Sequence, residues 1–249
     1  MAIQWSVLAN QKSAIREVAT RMVRSIRDTL EVRSRCRICL PGTRTAGQLY
    51  QLLRTSPYRE AVDWTSVDLW LTDELHGNGG WEPPTAAIVR TQLMSALRPL
   101  PRLHPIPVDG ASPELDASVY EETLRRHFTP GQTFDFALLG LGIDGRIAGL
   151  LPGCDALQEQ RRWAAVVPSE NGCTISLTPG CLNRVRELGL LVLGARKARI
   201  LKRLRSCRED ATRIPAMAIE GRPRLTWGVA DRSACVHLGQ SAQRTREAA

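Results

Sequence analysis

The 249-residue chain reads as an α/β protein, with a mostly parallel sheet covered by helices on both faces. Three observations predict this class. Apolar runs such as Phe134 to Leu139 and Leu188 to Leu193 lack the alternation of a half-exposed strand, which marks strands buried on both sides. These runs alternate along the chain with segments of 3.6-residue apolar spacing. The first of them empties into Gly140-Leu141-Gly142-Ile143-Asp144-Gly145, a turn that brings backbone N–H groups and one carboxylate to the carboxyl end of such a sheet.

The elements follow in order. Ala14, Ile15, Val18, Ala19, Met22, Val23, Ile26 and Leu30 share one face of a first helix. Arg37 to Leu40 is a strand that opens into Pro41-Gly42-Thr43-Arg44-Thr45, and a helix runs through Gln48 to Leu53. Val67 to Leu71 is a strand ending at Thr72-Asp73-Glu74, followed by a Gly/Pro-rich loop and a helix from about Thr85 to Leu97. Ser112-Pro113 starts a helix that continues to about His127, with proline at its first position. After the Phe134 strand, the spacing of Ile147, Ala148, Gly149, Leu150 and Leu151 predicts a short helix, stopped by Pro152-Gly153. Trp163 to Val167, Thr174 to Leu177, Leu188 to Leu193 and Leu225 to Val229 are strands; Ala195 to Leu204 is a helix and Asp231 a helix cap. Residues 1–239 read as one domain and 240–249 as a polar tail.

Composition narrows the function. The formal charge is +9, yet only three lysines occur (Lys12, Lys197 and Lys202), and the arginines are scattered without a basic block. No zinc-finger spacing or aromatic-basic motif accompanies them, so a nucleic-acid partner is not expected. The longest apolar runs fall well short of the roughly 18 residues of a membrane span. A soluble, cytoplasmic protein with no membrane association is expected. The seven cysteines are irregularly spaced; Cys36 and Cys39 lie on a strand, where residues three apart face opposite sides. They read as buried, reduced thiols. No cluster has metal-ligand spacing, so neither metal nor cofactor is expected.

Three strand ends carry the chemistry. In a parallel sheet, Leu40, Leu71 and Leu139 open onto one crevice. It would hold the carboxylates Asp73, Glu74 and Asp144, the donors and hydroxyls of Gly42, Thr43 and Thr45, and the cations Arg44, Arg146 and Lys197. Asp73 and Asp144 also have a plainer reading as caps or turn formers. His76 is a further candidate base, although a histidine in a glycine-rich loop is more often simply exposed.

With these residues in hand, the chain resembles the 6-phosphogluconolactonase family, related to the glucosamine-6-phosphate deaminase/isomerases. Gly140 to Gly153 (GLGIDGRIAGLLPG) is similar to the signature G-x-G-x-D-G-H-T-A-S-L-F-P-G, and Pro41 to Tyr50 (PGTRTAGQLY) to the loop S-G-G-S-T-P-x-x-L-Y. Asp73-Glu74-Leu75 stands for D-E-R, and Ile175-Ser176-Leu177-Thr178 with Leu182-Asn183 for I-T-L-T…L-N. Gly194 to Ala198 matches G-x-x-K-A, and Leu225-Thr226-Trp227 matches a late L-T-W. The matches run from about residue 10 to residue 238. The resemblance implies a Rossmann-like fold and metal-free hydrolysis of 6-phosphogluconolactone in the oxidative pentose phosphate pathway, on a small-molecule sugar phosphate. It implies catalytic or substrate contacts at Asp73, Glu74, Asp144 and position 146. It also implies phosphate or substrate binding at Gly42, Thr45, Gly142, Gly145 and Lys197, and Thr43 and Arg44, which replace loop residues of the pattern, are expected to join them, Arg44 through a bidentate phosphate contact.

The departures are specific. The signature histidine, thought to be the general base, is Arg146, which stays protonated at physiological pH. The D-E-R arginine is Leu75, and the arginine before I-T-L-T is Thr174. The loop carries Thr43, Arg44 and Ala46 where the pattern has Gly, Ser and Pro, and Pro84-Thr85 replaces a Ser-Asn pair. A divergent lactonase is therefore the leading expectation. Its alternatives are a non-catalytic sugar-phosphate-binding paralogue and an amino-sugar-phosphate isomerase or deaminase using Asp73 as base.

Overall fold

A computed structural model describes residues 3–77, 84–110, 112–128, 132–169, 172–206, 210–219 and 225–238. Seven parallel strands make the main sheet: β1 (Gln4–Leu8), β2 (Cys36–Leu40), β3 (Val67–Leu71), β5 (Arg102–His104), β6 (Phe136–Gly140), β9 (Glu187–Val192) and β10 (Leu225–Asp231). Their order is β1-β10-β9-β6-β2-β3-β5. From β2 the chain steps outward through β3 to β5; from β6 it steps the other way through β9 to β10. The order therefore reverses between β2 and β6, which places a ligand crevice beyond their carboxyl ends. A second sheet, absent from the sequence-based expectation, is antiparallel: β4 (Asp73–His76), β8 (Gly172–Leu177) and β7 (Ala164–Ser169).

The first helix, α1 (Gln11–Leu30), starts with a capping box in which Asn10 and Ser13 bond each other's backbone. It packs on α2 (Arg44–Leu53) over one face of the main sheet. α3 (Thr85–Gln92) ends earlier than the expected Leu97, where a 3-10 turn at Met94–Ala96 takes over. The crossover through α4 (Pro113–His127) runs back from β5 toward the centre, so a right-handed connection covers the opposite face. Tyr120 of α4 donates to the Leu71 carbonyl at 2.9 Å and packs on Trp70. Ser112 caps α4 and Pro113 sits at its first turn, as its sequence requires. The short α5 (Pro179–Leu182) and then α6 (Ala198–Ser206) complete the helices, with a 3-10 turn at Ala195–Lys197 leading into α6.

Three strands escaped the sequence reading: β4, taken there as the exit of β3 and the start of a loop, and β1 and β5. β1 mixes polar and apolar residues (Gln4, Ser6) and so shows no buried-strand run, and β5 spans only three residues. The helix expected at Ile147 to Leu151 does not form. Ala148 takes a left-handed φ of 47°, Ile147 bridges Leu150 across a tight turn, and the Gly149 amide bonds a side chain instead of a helical carbonyl. Cys36, Cys39, Cys181 and Cys235 are buried free thiols, Cys154 and Cys173 partly so. Burial pushes the Cys36 thiol up to about 12, which leaves it protonated and inert. Cys207 and the 240–249 tail lie outside the described residues. Among the described residues, no helix is long and apolar enough to cross a membrane.

Candidate active site

The end of β2 supplies the first wall. Thr43 caps α2, its hydroxyl accepting the Ala46 amide at 3.2 Å, and the amides of Arg44 and Thr45 bond no other described residue. Tyr50 holds the entry by donating to the Pro41 carbonyl at 2.6 Å. Gly42 is required by crowding: a Cβ there would lie 2.2 Å from the Thr85 hydroxyl at the start of α3. Arg44 is exposed and makes no ion pair or side-chain hydrogen bond with the described residues. A small open cleft lined by Pro41, Thr43, Thr45, Ala46, Gly140 and Leu191 separates this turn from the ends of β6 and β9.

The signature turn after β6 is the second wall. The Gly142 amide donates to the Arg146 carbonyl at 2.8 Å, closing a loop around Asp144. The Asp144 carboxylate accepts from the Arg146 amide at 3.1 Å and pairs with Arg146 Nε at 3.2 Å. Gly145 has φ 94° and packs against Ile214 and Ile200, leaving no room for a side chain. The loop is thus shaped by its own backbone, and Arg146 lies with half its side chain in solvent. Lys197 comes from the turn after β9 into the field of these two residues. Burial lowers its ammonium pKa, Asp144 opposes the shift, and Arg146 and Arg196 add to it. Gly194 opens that turn and donates to Asp231 Oδ1 at 2.8 Å.

β4 is the third wall, and its two faces do different work. Asp73 faces the signature loop, accepting from the Thr72 hydroxyl at 2.5 Å and lying close to Gly149. Leu75 shares that face. Glu74 points the other way, 2% exposed, and accepts the Thr85 and Ala86 amides at 2.7 and 2.9 Å. It also accepts its neighbour Leu75's amide at 3.2 Å. Burial raises the Glu74 carboxyl above the ordinary range, and these three amides work against the shift. Glu74, expected as a catalytic carboxylate, thus has its oxygens engaged in stapling α3 to β4. His76 lies on the same rear face, its Nε2 3.0 Å from Asp116 Oδ2 of α4. The histidine considered as a substitute base is therefore turned away from Asp73.

The structure sets Lys197 in the field of Asp144 and Arg146, lays Asp73 against the signature loop at Gly149 and Thr43 against Gly140, and turns Glu74 and His76 to the other face of β4. The sequence reading gave no role to Ser176, whose hydroxyl anchors the signature loop, nor to Thr72. Their signal was the alternation of β4 and β8, which puts Asp73 opposite Ser176 and Leu75 opposite Thr174. Among the described residues, no group of three or more His, Cys, Asp or Glu is placed to hold a metal ion.

Residues 9–227 match the profile of the glucosamine-6-phosphate isomerases/6-phosphogluconolactonase family. The chain belongs to this family. Among its curated relatives, a 6-phosphogluconolactonase of Synechocystis sp. is 29% identical over 232 residues, covering 91% of this chain and 95% of the relative. One from Streptomyces coelicolor is 29% identical over 236 residues, covering 90% of each. The solved 6-phosphogluconolactonase of Trypanosoma brucei superposes with a TM-score of 0.80 at 19% identity, covering 95% of this chain and 99% of that one. A monomeric glucosamine-6-phosphate deaminase superposes with a TM-score of 0.80 at 16% identity, covering 97% and 100%. At these identities the two superpositions establish the fold alone. Both activities of this glucosamine-6-phosphate isomerase/6-phosphogluconolactonase family thus share the architecture, and side chains must separate them.

Proposed function

We propose that this protein hydrolyses 6-phosphogluconolactone to 6-phosphogluconate, acting on a small-molecule sugar phosphate as a soluble enzyme of carbohydrate metabolism in the cytoplasm. The observation that carries the reading is the cleft between the Thr43–Thr45 turn and the ends of β6 and β9, the strands whose exits carry Asp144, Arg146 and Lys197. Curated lactonases matched over about nine-tenths of the chain support it. The phosphate sits at the Gly42–Thr45 turn, where two free amides, the helix start and Arg44 supply donors and positive charge. Lys197 closes the anion site from the side of β9.

The lactone ring then reaches the space between the signature loop and β4. Water adds to the carbonyl carbon while a base takes its proton; the ring C–O bond breaks and the ring oxygen is protonated as the alcohol. With Glu74 stapled to α3 and His76 facing away, Asp73 is the base, oriented by Thr72. The Arg146 guanidinium stabilises the oxyanion on the carbonyl oxygen. Gly142 and Gly145 shape the loop that presents it, and Asp144 orients Arg146. Residues 1–239 act as one unit in this scheme.

The test is hydrolysis of freshly made 6-phosphogluconolactone above its spontaneous rate, with Asp73→Asn as control. Catalysis abolished by that substitution supports the assignment. Tight binding of 6-phosphogluconate without turnover would make the protein a sugar-phosphate binder, and release of ammonia from glucosamine 6-phosphate would make it a deaminase.

A further inference from the structure

We infer that Ser176 is a positioning residue, its buried hydroxyl holding the signature loop against the strand that carries Asp73. The inference rests on the lactonase reading for its kinetic consequence, not for its geometry. Ser176 is fully buried on β8 and directly opposite Asp73 in the antiparallel sheet. Its Oγ accepts the Gly149 amide at 3.0 Å and donates to the Leu177 carbonyl at 2.9 Å, so both capacities of the hydroxyl are used.

The anchored point is where the loop is under strain. Ala148, next to Gly149, has φ 47°, a left-handed conformation that its Cβ disfavours. Gly149 itself is pressed onto the small sheet: a Cβ there would lie 2.6 Å from the Thr174 methyl, 3.0 Å from Ser176 Cβ and 3.3 Å from Asp73 Cβ. Backbone strain of this kind persists only where neighbours enforce it. Among the described residues, the Ser176 hydroxyl is the side-chain bond that does so at Gly149, three residues from Arg146. The small sheet is in turn strapped to the main one by the Leu177 amide on the Thr72 carbonyl at 2.8 Å. The Ser176 hydroxyl therefore ties the loop that carries Arg146 to the strand pair that carries Asp73.

Three variants test this: Ser176→Ala, Ser176→Thr, and Ser176→Ala combined with Ala148→Gly. Loss of the anchor should lower kcat for the lactone about tenfold, because small displacements of a catalytic group are expensive, while KM changes less than about twofold. Threonine keeps the hydroxyl and should retain kcat. Glycine at 148 removes the drive to relax, so the double variant should recover most of the lost rate. Amide exchange at Gly149 should be slow in the parent and fast in Ser176→Ala, and the Arg146 Nε–H resonance should shift. A purely structural role would lower the unfolding midpoint with kcat of the folded protein unchanged, and that result overturns the inference. If the parent hydrolyses no lactone, the proposed function falls; the Gly149 and Arg146 signals then decide the inference, and their indifference to Ser176→Ala overturns it.

Discussion

Leu75 of β4 and Thr174 of β8 face each other directly across the small antiparallel sheet. Both stand where the family resemblance implies arginine, so two cations have been lost from one place. The wall beside Asp73 consequently offers Leu75 and Thr174 in place of charge, and the positive groups proposed for the crevice, Arg44, Arg146 and Lys197, belong to other elements.

Restoring charge at this pair should be asymmetric. Leu75 is partly exposed on the crevice face, so Leu75→Arg should raise kcat/KM about tenfold by adding one charge-assisted contact. Thr174 lies beneath Gly149, so Thr174→Arg should displace the loop and lower kcat. Steady-state kinetics on both variants separate the two outcomes; equal gains would show that neither side chain supports the loop.

Arg146→His places an imidazole beside Asp144 at the position where the resemblance implies a base. A correctly placed base contributes roughly 10²–10⁴-fold, and loss of one oxyanion donor costs about 10²–10³-fold. We expect a net rise of about tenfold, with a new ionisation near neutral pH in the rate profile. A fall without that ionisation would show that the arginine's charge does more than any base could.

Glu74→Ala should be a stability variant first. It strips acceptors from the buried Thr85 and Ala86 amides, a loss of about 2–3 kcal/mol. Urea unfolding reads it directly. A rate defect larger than the change in folded fraction would return Glu74 to the chemistry.

At the other end of β3, Asp68 should contribute to acid sensitivity. Burial opposes its ionisation, but His104 and the Arg35 guanidinium (Nε at 2.8 Å) hold its carboxyl well below the usual range. A depressed carboxyl contributes stability that is present above its unfolded pKa of about 3.9 and is lost as pH falls through the folded value. Asp68→Asn should therefore flatten the decline in unfolding free energy below about pH 4. A denaturation series from pH 6 to pH 2 checks the slope; an unchanged slope would place the acid sensitivity elsewhere.

The parallel sheet and the meeting of three strand ends were legible in the sequence because they follow from apolar runs and glycine-rich exits. Glu74 was not separable from Asp73: adjacent carboxylates look alike until β4 is seen to pair with β8, and alternation then sends them to opposite faces. Ile147 to Leu151 carries a helix-like apolar spacing, but a hydroxyl 27 residues away fixes the backbone there. Spacing records which side chains are buried; it does not record which distant group claims an amide.

The placement of Asp231 has a consequence for when the protein becomes competent during synthesis. The turn that presents Lys197 is held through Gly194 by a carboxylate at the end of β10, and among the described residues β1 pairs with β10 alone. A nascent chain halted before residue 225 would expose β1 and the flank of β9 as open edges, with its lysine turn unanchored. The last strand therefore acts as a keystone: the proposed anion site cannot be assembled piecemeal from the amino terminus, and truncation ahead of it should remove binding and folding together.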